Sequence, residues 1–537
     1  MLLRDGFSTA ISIPARCIVA RVAHPRLFVQ NNPQRPALIM ADTGQILSYG
    51  QLVERSDRGA QLLTTLGLQE GDTIAIFLEN HICYPELCWA AKNAGITYAC
   101  IPSRSTVEEV AYIVDNCDAK LLISSIALRD TAVKVAQHLA QQCQYLMVDG
   151  EVGAFANYEV LLQACEPRPL KGRRRGPSML YSSGTTGKPK GIRSPLPDAP
   201  PEEPPPRLAM LEKMYQLSDQ TVFINPGPFY HAAPGRFMIC LHRLGGTVIS
   251  FKRFDPEACL AAIDEYQATH GLFVPTMFTR ILCLDSKVKE KYRHDSLRCV
   301  AHLGAPCPIP IKEQMIQWWG PILGETYAGT EAVGHTYISS PEWLEHKGSV
   351  GRPAGNCELR IVDDSSGEEM PAGEPGLIYM RNGKRFEYHK DSDKTKDAFI
   401  EGGWATLGDI GYLDEDGYLY LTDRKADMIV SGGVNVYPRE AENVLHRHPL
   451  IADVAVVGVP DEELGEVVKA VVEIEGDNTL PNDFEADVIA FCRQYLAPQK
   501  CPRSVDIVEE LPRNEAGKLL KRLVRDRYWQ DRASRLV

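Results

Sequence analysis

The stretch that decides the fold covers residues 47–102: LSYGQLVERSDRGAQLLTTLGLQEGDTIAIFLENHICYPELCWAAKNAGITYACIP. Ser48 and Gln51 form a capping box, apolar residues then recur at helical spacing, and Gly67 ends the predicted helix. The strand-like TIAIFLEN, a second helical segment YPELCWAAKNAG and the short apolar ITYACIP follow in turn. Strands separated by helices predict parallel pairing, so we expect a layered α/β protein whose ligand sites lie in the loops at the strand ends.

The composition of the 537-residue chain excludes several classes of protein. Its 58 Lys and Arg against 70 Asp and Glu give a net charge of −12, which argues against a general surface for nucleic acid or anionic membranes. No apolar run approaches the roughly 18 residues of a transmembrane segment, which predicts a soluble protein. The fifteen cysteines are scattered and form no C-x-x-C pair, as is typical of a reduced, cytoplasmic protein without a cysteine metal site.

A polar loop at residues 179–191, MLYSSGTTGKPKG, has the composition of a site for a polyphosphate. Glycine lets the backbone approach a ligand, serine and threonine add donors, and lysine adds positive charge. The spacing is not that of the usual P-loop, because only two residues separate Gly184 from Gly187 and Pro189 follows Lys188. The alternative interpretation is a flexible surface turn.

Near Asp423 the chain changes to a compact α+β pattern. Two short strands around a polar turn are followed by a helix over 440–447, the strand ADVAVVGVP and a helix over 484–496. We therefore predict four segments: an N-terminal extension (1–25), a large N-terminal α/β domain (26–423), a hinge (424–427) and a small C-terminal α+β domain (428–537). The extension loosely resembles a transit peptide, but a plain extension is the favoured interpretation.

Two further segments have unusual composition. The proline cluster RSPLPDAPPEEPPPR (193–207) predicts an exposed, stiff loop, most simply a surface excursion, with a lid or recognition segment as the alternative. The basic run formed by Lys171 and residues 173–175 is interpreted as a solvated linker that would also raise the local potential for a nucleotide.

Five more motifs follow the polar loop in order: GPFYHAAP (227–234), LGAPCP (303–308), GETYAGTEA (324–332), GWATLGDIGYLDEDGYLYLTDRKADMIVSGG (403–433) and LPRNEAGK (511–518). Together they resemble the acyl-adenylate-forming superfamily, which contains acyl-CoA synthetases, peptide-synthetase adenylation domains and luciferases. The details are most similar to the acyl-CoA synthetase branch. The resemblance implies a large multi-sheet N-terminal α/β domain and a small mobile α+β C-terminal domain.

The resemblance also implies a two-step reaction. A carboxylate attacks the α-phosphate of ATP, pyrophosphate leaves, and a thiol then takes the acyl group from the acyl-adenylate. Negative charge gathers on the α-phosphate, so fixed donors, a cation and a metal stabilise the transition state. We therefore expect an AMP-forming acid–thiol ligase that uses ATP, Mg²⁺ and CoA on a small-molecule acid; a homo-oligomer is left open.

The resemblance assigns the nucleotide site residue by residue. By this resemblance, the polar loop is expected to bind the β- and γ-phosphates and Tyr327 to pack on adenine. Asp409 is expected to bind the ribose hydroxyls, and Arg424 to contact the ribose side. The full ATP-binding set is Ser182, Ser183, Gly184, Thr185, Thr186, Gly187, Lys188, Gly304, Ala305, Pro306, Glu325, Thr326, Tyr327, Asp409 and Arg424.

Four residues carry the implied catalytic roles. Thr330 meets the α-phosphate, Glu331 helps hold Mg²⁺, and Lys518 reaches the carboxylate and α-phosphate oxygens. His231 lies beside the acyl group, with an ordinary structural histidine as the alternative. The chain departs from the family pattern in having Ala328, Leu407 and Ala426 where glycine, threonine and a charged hinge residue are usual.

The implied acyl pocket is mostly small or apolar, and comprises His231, Ala232, Ala233, Phe237, His302, Leu303, Gly304 and His335. Such a pocket suits a fatty, aryl-alkanoic or steroid-side-chain acid. Gly432 and Gly433 match the loop that lines the path of the CoA pantetheine arm. An amino acid is disfavoured because 229–235 holds no aspartate, and the short tail after Lys518 favours free CoA. The alternatives are an enzyme that loads a carrier protein and a non-catalytic nucleotide-binding relative.

Overall fold

Helices occur where caps, prolines and apolar periodicity predict them. The computed structural model describes residues 22–139, 143–182, 189–364, 366–432, 434–474, 476, 480–481, 483–514 and 517–529. Its helices are α1 (Arg26–Val29), α2 (Tyr49–Thr65), α3 (Tyr84–Ala94), α4 (Val107–Asn116), α5 (Arg129–His138), α6 (Tyr158–Gln163), α7 (Arg207–Met214), α8 (Ala232–Leu244), α9 (Pro256–Glu265), α10 (Pro275–Leu282), α11 (Ser286–Lys291), α12 (Ile309–Trp319), α13 (Ser340–Glu345), α14 (Ser392–Asp397), α15 (Pro438–Leu445), α16 (Phe484–Arg493) and α17 (Lys521–Asp526).

The strands alternate with these helices through most of the chain. They are β1 (Pro36–Met40), β2 (Gln45–Ser48), β3 (Thr73–Phe77), β4 (Thr97–Ile101), β5 (Ala119–Ser125), β6 (Gln144–Val148), β7 (Ala156–Asn157), β8 (Ser178–Ser182), β9 (Lys190–Arg193), β10 (Val222–Ile224), β11 (Thr247–Ser250), β12 (His270–Phe273), β13 (Cys299–His302), β14 (Leu323–Ala328), β15 (His335–Ser339), β16 (Arg352–Pro353), β17 (Glu358–Val362), β18 (Gly376–Arg381), β19 (Glu387–Tyr388), β20 (Phe399–Ile400), β21 (Trp404–Leu413), β22 (Leu419–Arg424), β23 (Ile429–Ser431), β24 (Val434–Val436), β25 (Ile451–Asp461), β26 (Gly465–Ile474) and β27 (Ser504–Ile507).

The opening stretch folds as its pattern predicts. Ser48 caps α2, with the Gln51 N–H donating to Ser48 Oγ at 3.2 Å and the Ser48 N–H donating to Gln51 Oε1 at 2.9 Å. β3 follows, and it pairs in parallel with β4 on one side and β5 on the other. The prediction of parallel strands joined by helical crossovers is therefore confirmed.

Two large sheets form the body of the molecule. Sheet A has nine strands in the order β16-β15-β14-β13-β12-β10-β11-β1-β2, and sheet B has eight in the order β19-β9-β8-β4-β3-β5-β6-β7. A hydrophobic core contains residues from both sheets together with the apolar faces of α2, α3 and α8, including Tyr49, Trp89 and Leu241. Packed helices on sheet faces leave the strand ends free for ligands.

A smaller antiparallel sheet completes the large lobe. In sheet C the strands run β17-β18-β21-β20, with β22 added beside β21. Asp409 on β21 lies directly opposite Arg424, which is the last residue of β22 and the first of the predicted hinge. Sheet C therefore fixes two of the predicted nucleotide residues against each other.

The C-terminal part of the chain has a sheet of its own. Sheet D has the order β24-β23-β26-β25, with β27 parallel to β26, and α15 and α16 pack on it around a separate core. α17 packs on the other face, where Val524 joins a second apolar cluster. The prediction of a small α+β unit after a larger α/β one is confirmed.

Two segments outside the regular elements contact the large lobe. Ala23 and His24, from the predicted N-terminal extension, are buried, and the His24 imidazole lies 3.1 Å from Asn93 Oδ1. In the proline cluster, the Ala199 carbonyl accepts a hydrogen bond from the Arg175 backbone at 2.8 Å. In the described part of the chain, no helix combines the length and hydropathy needed to span a membrane.

Candidate active site

The polar loop begins and ends on a β-hairpin in sheet B. β8 and β9 are antiparallel, with Ser182 opposite Lys190, and β8 lies beside β4. Ser183, Gly184, Thr185, Thr186, Gly187 and Lys188 lie outside the described residues, so their role with the phosphates stays a prediction. The hairpin explains the departure from a P-loop, because Pro189 leads into a strand rather than a helix.

Glu331 lies in the loop after β14, next to two residues that the sequence did not single out. The Tyr388 hydroxyl donates to Glu331 Oε1 at 3.0 Å. Lys190 Nζ lies 5.2 Å from the centre of the Tyr388 ring, and burial lowers the pKa of this lysine. The carboxylate is thus oriented by a hydroxyl and has a cation nearby, as suits a group that faces phosphate oxygens and a hard metal ion.

Thr330 is positioned by a hydrogen bond to its main-chain carbonyl. Arg236 of α8 donates from Nη2 to the Thr330 carbonyl at 3.0 Å. The pKa of Arg236 is lowered to about 10 because the guanidinium is buried and lies near Arg207. α8 therefore links the predicted phosphate residue to the predicted acyl side of the site.

Tyr327, Asp409 and Arg424 form one connected group. The Tyr327 hydroxyl donates to Asp409 Oδ2 at 2.7 Å, and Arg424 Nε lies 3.2 Å from Asp409 Oδ1. Burial and the Asp409 charge raise the pKa of Tyr327, so the phenol stays protonated as a donor. The aromatic, acidic and cationic residues predicted around the nucleoside thus meet where β14, β21 and β22 adjoin.

Two residues of the predicted ATP-binding set have side chains engaged elsewhere. Glu325 is buried in an ion pair with Lys312 Nζ at 2.6 Å, and burial raises the pKa of its carboxyl group. The Thr326 hydroxyl is 2.6 Å from the hydroxyl of Tyr215. The sequence pattern could not reveal these partners, since Lys312 and Tyr215 lie outside the motif.

The loop after β13 contains the predicted Gly304, Ala305 and Pro306. Gly304 has a φ of +89°, and the helix α12 begins at Ile309 soon after it. A left-handed residue at this point turns the chain sharply away from the strand end and exposes the backbone of the loop. The loop thus lies at the carboxyl end of a parallel strand, where the fold class predicts ligand contacts.

The tail lysine interacts electrostatically with several of these residues. Lys518 is half-buried on a hairpin in which its N–H donates to Asn514 Oδ1 at 2.8 Å. Burial and the charge of Arg424 lower the pKa of Lys518 to about 8, while Asp409 and Glu331 act in the opposite direction. The charge of Lys518 therefore acts on the residues predicted for the nucleotide and the metal.

His231 caps the start of α8 and faces the tail. Its Nε2 is buried without a hydrogen-bond partner among the described residues. Burial and the charge of Lys518 lower the pKa of His231 to about 4, so the imidazole is neutral at physiological pH. A buried ring nitrogen with no partner beside a cation leaves a polar contact for a bound group.

The predicted acyl set separates into two groups. His231 and Ala232 line a cavity beside α8. The other members do not line it: Phe237 stacks on Phe223 at 5.1 Å, His302 is fully buried on β13, and Ala233, Leu303 and His335 are half-buried. The acyl contact of these residues stays a prediction, and the further lining of the cavity beside His231 includes lysine and arginine side chains.

Gly432, predicted for the CoA path, lies in the small lobe. It has a φ of +55°, and its N–H donates to the carbonyl of Leu464, in the turn between β25 and β26, at 2.8 Å. Gly433 lies outside the described residues. The CoA contact of both glycines stays a prediction.

Comparison with known proteins identifies the family. A family model described as AMP-binding enzyme matches residues 26–386, and one described as AMP-binding enzyme C-terminal domain matches residues 440–518. The chain belongs to the AMP-binding enzyme family. The resemblance to the acyl-adenylate-forming superfamily and its acyl-CoA synthetase branch is confirmed, and with it the class of AMP-forming acid–thiol ligases.

Individual relatives of this AMP-binding enzyme cover nearly the whole chain. A 2-succinylbenzoate–CoA ligase of Bacillus licheniformis is 30% identical over 93% of this chain and 98% of its own length. A fatty acid–[acyl-carrier-protein] ligase, ScoC of Streptomyces coeruleorubidus, is 30% identical over 96% of this chain and 99% of its own. The crystal structure of ATP-bound MatB from Rhodopseudomonas palustris superposes with a TM-score of 0.80 at 27% identity, covering 95% and 99% of the two chains.

Proposed function

We propose that the enzyme joins an organic acid to AMP, with release of pyrophosphate, and then transfers the acyl group to CoA. The observation that carries this proposal is Lys518, a half-buried tail lysine whose charge interacts with those of Asp409, Arg424 and Glu331. A tail cation that acts on residues suited to ribose and metal binding supports attack at the α-phosphate. The matches of the chain to CoA ligases over most of its length support the second step.

In the first step the chain supplies positive charge where negative charge develops. The Lys518 ammonium would bridge the acid carboxylate and an α-phosphate oxygen, which brings the two anions together. Thr330 would donate to the α-phosphate from its hydroxyl, while Arg236 holds its carbonyl. His231 would contact the acid as a neutral imidazole, because its pKa is lowered to about 4.

The nucleotide would be held by Tyr327, Asp409 and Arg424. One carboxylate oxygen of Asp409 accepts a hydrogen bond from Tyr327, and the other forms an ion pair with Arg424. The remaining lone pairs of the two oxygens would accept the ribose hydroxyls. The polar loop 182–188 would clasp the β- and γ-phosphates. The carboxylate of Glu331 fits Mg²⁺, since Tyr388 engages one of its oxygens and phosphate oxygens can complete a hard donor set. When bound, Mg²⁺ would offset the charge of the triphosphate.

In the second step the small lobe would turn about residues 424–427. That rotation would withdraw Lys518 and bring Gly432 and Gly433 to the path of the CoA thiol. Within this structure the hinge is engaged by the small lobe, because Arg525 donates from Nη1 to the Ala426 carbonyl at 3.0 Å. The chain has alanine where the family usually has a charged hinge residue, and Arg525 of α17 contacts the backbone of that alanine.

Half-reactions measured separately test the assignment of Lys518. Lys518→Ala is expected to lower adenylation about 100-fold or more, since a preorganised cation is lost from the transition state. Transfer from a supplied acyl-adenylate to CoA should stay within about twofold, while Lys518→Arg should recover part of the adenylation rate. Equal loss of both half-reactions in Lys518→Ala would contradict the assigned role.

A carrier protein is the second candidate acceptor, because one extensive relative is named an acyl-carrier-protein ligase. A panel of carboxylic acids should be assayed for pyrophosphate release, and the product formed with CoA should be identified by mass. A CoA thioester supports the proposal. Pyrophosphate release without a CoA thioester favours the carrier-protein reaction, and an absence of both favours a non-catalytic relative.

A further inference from the structure

A cavity of about 40 Å³ lies between α3, β4, β8 and α8. One end is formed by His231 and Ala232, and Pro205 of the proline cluster contributes to the wall. Five side chains on its lining are cationic, and we call them the five cations: Lys92, Arg175, Arg207, Arg236 and Arg243. This charge is unusual for a chain with a net charge of −12.

The five cations have no acidic partner within the part of the chain that the structure describes. Burial lowers the pKa of both Arg175 and Arg236, and Glu203 and Glu331, respectively, only oppose this shift; neither glutamate comes within the 4.0 Å of an ion pair. The cysteines on the lining, Cys88, Cys100 and Cys240, supply no charge either. Burial raises the pKa of each of these thiols, so they stay protonated.

Arg243 is the most deeply buried of the five, with 2% of its surface exposed. Its Nη1 donates to the Ala23 carbonyl, and its guanidinium lies 5.0 Å from the Trp89 ring. Nε and Nη2 have no hydrogen-bond partner among the described residues. Two unused donors on a buried guanidinium are costly unless a ligand accepts from them.

Lys92 and Arg175 are also buried cations on the lining. Lys92 is 5% exposed, and its ammonium lies 3.5 Å from the Gly176 carbonyl, a long hydrogen bond, and 5.1 Å from the centre of the Tyr98 ring. Arg175 is buried and donates to the backbone carbonyl of Glu203. Burial, together with the charges of Arg243, Arg207 and Arg175, lowers the pKa of Lys92, so the cations repel one another when no ligand is bound.

We propose that this cavity receives the far end of the acid substrate and that this end carries a second anionic group, a carboxylate. The inference rests on the proposed function, because it takes the His231 end of the cavity as the place of the reacting carboxylate. Arginine forks recognise carboxylates through paired N–H donors, and a dianionic acid would supply the missing counter-charge. The inference therefore favours a dicarboxylic acid over the hydrophobic acid expected from the sequence.

The positions of two arginines on α8 support this choice. Arg236 lies four residues beyond Ala232 and Arg243 lies eleven beyond it, which is about 6 Å and 16 Å along the helix axis. These two cations thus lie at increasing distances from the reacting end along one helix.

The test compares each dicarboxylic acid with its own monomethyl ester. The two have the same length and differ in one charge. A series of α,ω-dicarboxylic acids and half-esters is assayed for pyrophosphate release with ATP and CoA. At the best length we expect kcat/KM for the diacid to exceed that for the half-ester at least about tenfold. A half-ester as good as the diacid at every length would overturn the proposal.

Variants locate the effect in the cavity. Arg175→Met and Arg243→Met should each lower kcat/KM for the diacid about 10- to 100-fold, mainly through KM, and leave the half-ester within about threefold. Arg174→Met is the matched control, because Arg174 is the neighbour of Arg175 but pairs with Glu70 at 2.8 Å on the surface. An equal rise in the KM for ATP with both acids would assign the cations to the nucleotide and overturn the proposal.

A binding measurement separates this inference from the proposed function. Unliganded Arg175→Met and Arg243→Met should unfold at the same temperature as the wild type or higher, because repulsion is relieved. The diacid should raise the unfolding temperature of the wild type but not of Arg243→Met, and the half-ester should raise neither. If no acid releases pyrophosphate, the proposed function fails, and the shift by the diacid still decides the inference. No difference between diacid and half-ester would overturn it.

Discussion

At the residue scale, the buried ammonium group of Lys92 ties the stability of the large lobe to pH. Burial, together with the charges of Arg243 and Arg207, lowers its pKa from 10.5 to about 7. Between these values the unfolded chain binds a proton that the folded chain has released. The free energy of unfolding therefore rises with pH over this interval, by at most about 1.4 kcal/mol per pH unit from this group.

Lys92→Met should remove that dependence. Near pH 6 both states of the wild type carry the charge, and the folded state bears the full cost of burying it, so the variant should be more stable by about 2–4 kcal/mol. The difference should shrink towards zero near pH 10, where the folded lysine is already neutral. Urea unfolding midpoints across this range measure the difference.

Lys120→Met is the control for this prediction. Lys120 is exposed and lies 3.7 Å from Asp72, so its removal should change the free energy of unfolding by less than about 1 kcal/mol at every pH. A constant difference between Lys92→Met and the wild type from low to high pH would contradict the assignment of the effect to this ammonium group.

At the element scale, the tail hairpin contacts α10 through a residue without a side chain. Gly517 has a φ of +75°, and a Cβ at this position would lie 1.9 Å from Thr276 Oγ1. Gly517→Ala should therefore push the hairpin and Lys518 away from the cleft. We expect adenylation to fall about tenfold or more, while transfer from a supplied acyl-adenylate is retained.

A matched glycine separates the contact from backbone strain. Gly417 has a φ of +79° with open space around it, so Gly417→Ala should lose about 1 kcal/mol of stability and keep both half-reactions. Removing the hydroxyl in Gly517→Ala/Thr276→Ala should restore part of the adenylation rate. Equal effects of the two glycine variants on adenylation would show that strain, and not the contact with α10, is responsible.

The elements themselves were largely predictable, whereas the cavity was not. The capping box of α2 and the alternation of β3 and β4 are local signals, and the structure has both at the expected residues. The basic run near the polar loop did not reveal which of its arginines is buried: Arg174 is exposed, whereas its neighbour Arg175 is buried. Lys92, Arg175 and Arg243 come together only through pairing of β4 with β8 and packing of α3 and α8, which no local pattern encodes.

At the scale of the whole molecule, the helix α17 of the small lobe contacts the hinge. Arg525 of α17 donates to the Ala426 carbonyl at 3.0 Å and lies 3.9 Å from Asp427. Lys521, one turn earlier, pairs with Glu442 at 2.8 Å and lies 3.9 Å from Asp423 at the end of sheet C. These contacts favour the arrangement in which Lys518 lies in the cleft.

Arg525→Met should shift the balance between the two lobe arrangements. Loss of an exposed, charge-assisted hydrogen bond is worth about 0.5–1 kcal/mol, which corresponds to about a 2- to 5-fold change in the balance. Adenylation should fall by a factor in that range, whereas transfer of a supplied acyl-adenylate to CoA should stay constant or rise. Arg522→Met on the same helix, whose charge pairs with Asp526 at the surface, should alter neither half-reaction. If Arg525→Met lowered both half-reactions equally, the arginine would stabilise the small lobe as such and would have no part in choosing between the arrangements.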